Sequence, residues 1–156
     1  MHACELACII DDPQAAAEFL SGLNRIETFR ENFQSAGHFA QQAIIISQQH
    51  GSRVEEAAAW QALGFSKIAD QDHTAGEEAY ARSLTLCAEL NQGSQCAELR
   101  AELAWLAHER GAHGLAQEHL EFLIPNRSPE ALESIRQPSI CWCCNQVLKA
   151  EQSDKV

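Results

Sequence analysis

The chain has 156 residues, with 11 Lys+Arg against 22 Asp+Glu, a formal net charge of −11. A 46% hydrophobic and 21% charged composition describes a chain that folds, since a disordered one carries fewer apolar and more charged groups. The acid excess, and basic residues that never stand side by side, exclude a partner held through phosphates.

Taken in chain order, residues 1–11 lack a basic leader, and Glu5, Asp11 and Asp12 interrupt or close the apolar stretch, which argues against a signal peptide. The longest aliphatic run is Ile44-Ile45-Ile46, far below the ~18 residues of a membrane span. The odd count of 7 Cys without an export signal reads as reduced thiols in a cytoplasmic protein. Asp12-Pro13 pairs an N-cap residue with Pro at the first helical position. Helices are then expected between the breaks Ala36-Gly37, Gly51-Ser52, Gly93-Ser94 and Gly111, and on past Pro125, Pro129 and Pro138. Ser52-Arg53-Val54-Glu55 and Thr74-Ala75-Gly76-Glu77 match the capping box, and Ser128-Pro129 repeats the cap-and-Pro pairing. Apolar residues at helical spacing, such as Leu99, Leu103 and Leu106, complete a chain of about seven helices and no strands.

A shift of 40 residues brings the chain onto itself. Ala17, Ala57 and Ala97 fall in register, as do Leu23, Leu63 and Leu103. So do the small residues Asn24, Gly64 and Ala104, and again Ala36, Gly76 and Ala116, twelve positions further on. Small residues belong where two helix backbones approach closely, so Gly64 with Gly76 marks one hairpin and Ala104 with Ala116 the next. A fixed period of this size built from helix pairs is the signature of a solenoid. The expected units are 13–52, 53–92 and 93–128, with partial hairpins at 1–11 and 129–152, all in a single repeat domain 1–156. Because both ends stop halfway through a hairpin, the chain is expected to be a piece of a longer superhelix.

Trp60-x2-Leu63-Gly64 followed by Gly76-x3-Tyr80 resembles the tetratricopeptide repeat (TPR), over residues 13–124. The period of 40 rather than 34 departs from that family, as do Leu20 and Arg100 at the Trp60 position and Lys67 where an aromatic is usual. HEAT-like repeats, with periods of about 40–47, are the alternative. The resemblance implies an all-α fold, a right-handed α-α superhelix of about three hairpins. Residues 138–150, with Cys141 to Cys144, look like a segment in the TPR regions of large bacterial signalling ATPases. No Gly-rich phosphate loop accompanies them.

Candidate sites for chemistry are few. Cys141-x-x-Cys144 has no second pair to complete a zinc site and no βαβ context for redox chemistry, so core packing is expected. His108-Glu109-Arg110-Gly111-Ala112-His113 misses the metalloprotease spacing by one residue. His108, His113 and His119 are therefore expected as turn and surface residues. No catalytic residue, cofactor or metal ligand is assigned, and the protein is expected not to be an enzyme.

The TPR resemblance implies a concave groove lined by the first helix of each hairpin, which accepts a peptide or partner helix. Carried over by register, its positions are Ser21, Arg25 and Thr28, then Gln61, Phe65 and Ile68, then Ala101, Trp105 and His108. Arg25, Gln61, Phe65, Ile68, Trp105 and His108 are the candidate partner-binding residues. The expected role is a cytoplasmic, acidic scaffold in bacterial signalling or transcriptional regulation, with a protein or peptide partner, no nucleic acid and no membrane. Self-association through the incomplete ends is a further expectation. A sensor domain binding a small ligand or peptide signal in the same groove is the alternative, as is burial of Phe65 and Trp105 against neighbouring helices.

Overall fold

Asp12 caps the first helix as expected: its carboxylate accepts from the N–H groups of Gln14 (3.0 Å) and Ala15 (3.3 Å), with Pro13 at the first position. The computed structural model describes residues 12–123. Within them lie six helices and no strand: α1 Pro13–Phe29, α2 Phe33–His50, α3 Arg53–Ala69, α4 His73–Glu89, α5 Gly93–Glu109 and α6 His113–Leu123. The expectations for residues 3–10, Ser128-Pro129, and Cys141 to Cys144 fall outside the described residues.

The helices start at 13, 33, 53, 73, 93 and 113, so each helix with its turn occupies the same length. Every turn is built alike. One residue adopts positive φ, namely Glu31 (60°), Gly51 (68°), Gln71 (63°), Asn91 (57°) and Gly111 (73°). The next residue donates its N–H back five positions, as in Asn32 to Glu27, Ser52 to Ser47, Asp72 to Lys67, Gln92 to Cys87 and Ala112 to Ala107, at 2.8–2.9 Å. This is the Schellman closure, which satisfies a carbonyl left without an intrahelical partner. In the first three turns the residue that closes one helix (Asn32, Ser52, Asp72) also stands at the N-cap position of the next.

Three local expectations change. Ala36-Gly37 lies inside α2 and is not a break; the chain turns earlier, at Glu31, a residue type that rarely takes positive φ. The α4 cap is Asp72, which accepts from the Ala75 N–H at 3.3 Å, so Thr74 falls within the first turn. Ser52 does stand at the α3 cap position, but its hydroxyl makes no capping bond.

The chain divides at Gly93/Ser94 into two compact units. In the first, α1 packs on α2, α2 on α3 and α3 on α4, while α1 also touches α3, so the first helices of successive hairpins are neighbours. The core is dominated by alanine, with Ala16, Ala40, Ala43, Ala59, Ala62 and Ala79 around Leu20, Ile44 and Leu63. Small side chains let the helices approach closely, and the positions twelve apart show how. Asn24 Nδ2 donates to the Ala36 carbonyl at 2.8 Å across the first hairpin. In the second, a Cβ on Gly76 would lie 3.3 Å from the Gly64 carbonyl oxygen and 2.3 Å from Ile68 Cδ1. A Cβ on Gly64 would lie 2.4 Å from Tyr80 Cδ1. A side chain at Gly64 would have to displace the Tyr80 ring, and one at Gly76 the end of the Ile68 side chain. Ser83 adds a bond from its hydroxyl to the Ala57 carbonyl at 2.7 Å.

The second unit holds α5 and α6, joined by the turn at Gly111. Ala104 and Ala116, the corresponding pair, are both fully buried, and Leu99, Leu103 and Leu106 are buried along α5.

Candidate partner-binding surface

On α3, helical spacing aligns Val54, Ala58, Gln61, Phe65 and Ala69 in one stripe. Gln61 is half-buried and the others are exposed. No charge stands in this stripe, in a chain with 22 acidic residues. Phe65 retains 38% of its surface, more than a core aromatic keeps. On the neighbouring α1, Arg25, Ile26 and Phe29 are exposed, Phe29 at 75%. The two helices meet through these aromatics: the Phe29 and Phe65 rings lie 6.0 Å apart, tilted by 58°. Edge-tilted pairs at this separation attract beyond their area of contact.

Other expected groove positions sit elsewhere. Ile68 is half-buried and fills the space left by the absent side chain of Gly76, which makes it part of the α3–α4 joint. Thr28 is buried, its hydroxyl donating to the Asn24 carbonyl at 2.8 Å. Lys67 reaches Asp72 Oδ2 at 3.7 Å. Trp60 is half-buried under the Arg82 guanidinium, 4.8 Å above its ring.

In the second unit Trp105 and His108 are half-buried and Ala101 is buried. The turn at Gly111 brings the rings of His108 and His113 to 5.2 Å, so a spacing wrong for one helical face still yields a contact across the hairpin. His108 Nδ1 is buried without a hydrogen-bond partner. Among the described residues no group of three or more His, Cys, Asp or Glu is placed to hold a metal ion. The Arg100 guanidinium lies 3.6 Å from the centroid of the Phe122 ring, a cation–π contact at the position that Trp60 occupies in the preceding repeat. Burial pushes the Glu102 carboxyl above its ordinary range, and the neighbouring Glu98 adds to the rise.

A separate open cleft of about 600 Å³ lies beside the start of α2 and the end of α3, lined among others by Asn32, His38, Gln41, Lys67 and Asp70. Its walls are mostly polar, unlike the enclosed apolar pockets that hold most small ligands. No helix among the described residues is long and apolar enough to cross a membrane.

The positions carried over from the TPR resemblance include Arg25 and Phe65 and omit Phe29, whose ring partner comes from another helix. The only available signal for Phe29 was its spacing, four residues beyond Arg25 on one face. No family model matches this chain, and no curated protein matches it.

Proposed function

We propose that this protein is a non-catalytic interaction module of the TPR type, a scaffold that holds a peptide or partner helix against the first helices of its hairpins. The observation that supports the reading is the exposed Phe29–Phe65 pair on adjacent first helices, beside a stripe of α3 without charge. Exposed aromatics of this kind serve as interface anchors. The arrangement α1 beside α2 and α3, with close-packed small residues twelve apart, favours TPR over HEAT-like repeats. A place in bacterial signalling or transcriptional regulation is what the likeness of residues 138–150 to signalling ATPases implies. A sensor domain that binds a small ligand or peptide signal in the same groove is the second reading.

The test is capture of partners from lysate with the whole chain and with Phe65→Ala. Because Phe65 is already partly exposed, its removal is expected to leave the melting temperature within about 3 °C. Loss of an anchoring aromatic should weaken a captured partner by at least about tenfold. Unchanged capture, or a large fall in melting temperature, would assign Phe65 to packing.

A further inference from the structure

Six of the seven Lys and Arg side chains among the described residues are engaged. Arg30 pairs with Glu27 at 3.0 Å, Arg53 with Glu89, and Lys67 with Asp72. Arg82 lies over Trp60 and Arg100 over Phe122, and Arg110 is engaged as well. Arg25, which is exposed, is the one of the seven with neither an ion pair nor a ring partner among the described residues.

In a chain with twice as many acids as bases, a cation without an acid beside it needs an explanation. Glu27 is held by Arg30 and by Asn32 Nδ2 at 2.9 Å, so it does not turn to Arg25. Glu18, on the same face of α1, is seven residues away, roughly 10 Å along a helix rising 1.5 Å per residue. Arg25 stands one turn before Phe29, so its guanidinium and the Phe29–Phe65 pair belong to a single surface.

We infer that the Arg25, Phe29 and Phe65 surface takes a peptide segment of a partner protein that presents an acidic side chain about one helical turn from a large apolar one. This rests on the interaction-module reading above. A carboxylate forms a forked, charge-assisted pair with the guanidinium, and the apolar side chain packs on the two phenyl rings. The overall charge of −11 repels acidic segments at a distance and so favours basic ones in general. Arg25 sets a local preference of opposite sign, and the uncharged α3 stripe does not counter it.

A dodecapeptide display library drawn from Asp, Lys, Gln, Leu, Phe and Ala, panned on the whole chain, tests the assignment. Parallel selections use Arg25→Glu and Phe65→Ala, each checked for wild-type helicity. The wild-type protein is expected to enrich Asp three or four positions from Phe or Leu, and Arg25→Glu to enrich Lys there instead. A synthesised winner should bind Arg25→Glu at least about tenfold more weakly, since like charges across an interface repel strongly. If Phe65→Ala abolishes enrichment but Arg25→Glu keeps the same preferred charge, the surface binds peptides and the acidic preference is wrong. If the wild-type protein enriches nothing, the interaction surface itself is wrong, and the assignment falls with it.

Discussion

Replacing Gly64 by Ala sets two well-known effects against each other. In an exposed helix interior the change is worth about 1 kcal/mol in favour of Ala. At Gly64 the new Cβ would stand 2.4, 2.6 and 3.0 Å from Cδ1, Cε1 and Cγ of Tyr80. Tyr80 is 3% exposed, so a rigid ring would have to move within a packed interior, and overpacking of that kind costs about 1–3 kcal/mol. With three contacts at or below 3 Å the upper part of that range applies, which leaves a net loss of about 1–2 kcal/mol. For a chain of this size that lowers the melting temperature by about 3–6 °C. Gly22 is the internal control, because it lies in α1 with nothing within 4 Å of its would-be Cβ. Gly22→Ala should therefore raise the melting temperature by about 3 °C. The assay is thermal and urea unfolding followed by far-UV circular dichroism. The double variant Gly64→Ala/Tyr80→Leu, which removes the ring, should lose less stability than the two single losses summed, by about 1 kcal/mol. If Gly64→Ala gains stability as Gly22→Ala does, close approach is not the reason for glycine there.

Two further outcomes follow from the turns and from α5. Gln71 holds a φ of 63°, which costs a non-glycine residue about 1–2 kcal/mol. After the extra flexibility of glycine in the unfolded chain is allowed for, Gln71→Gly should stabilise by about 0.5–1 kcal/mol in urea unfolding; Gly51→Ala at the equivalent turn should destabilise. The raised Glu102 carboxyl favours the protonated form in the folded state. Its contribution to stability is thus full below the unfolded carboxyl range and is lost as pH rises through the folded value. Glu102→Gln should then melt higher than wild type at neutral pH and converge with it in acid, as measured by melting across that pH range; a gap that widens toward low pH would refute the sign.

Steric requirements were the most legible part of the sequence. Gly64 and Gly76 announce a close approach of two helices, and the structure brings a Cβ on Gly76 within 3.3 Å of the Gly64 carbonyl oxygen, while the side chains packed over the two glycines are those of Tyr80 and Ile68. Asp12-Pro13 was equally readable, since a cap and a preset φ act within a few residues. The turns at Glu31 and Gln71 were not, because they use positive φ without glycine or asparagine. Such a conformation is imposed by the helices on either side and leaves no mark in composition. Gly37 misled for the converse reason: it is a glycine in the first turns of α2 with open space around it, and no turn requires it. At the surface, a repeat register locates a side chain to within about one helical position. One position is 100° of rotation, enough to separate exposed Arg25 and Phe65 from buried Thr28 and Ala101. The Phe29–Phe65 contact needed the packing of α1 on α3, which the register alone does not supply.

The shared closing and capping residue has a consequence for how this chain can change length. With helix starts twenty apart and, in the first three turns, one residue closing a helix and standing at the N-cap position of the next, each turn between the described helices is only two or three residues long. A single inserted residue within a helix turns everything after it by about 100°, and no loop absorbs the error. Adding one helix with its turn keeps the turn chemistry but exchanges first helices for second ones from that point on. Only a pair restores both. Length in this architecture is therefore quantised, and viable relatives should differ by whole hairpins rather than by scattered insertions.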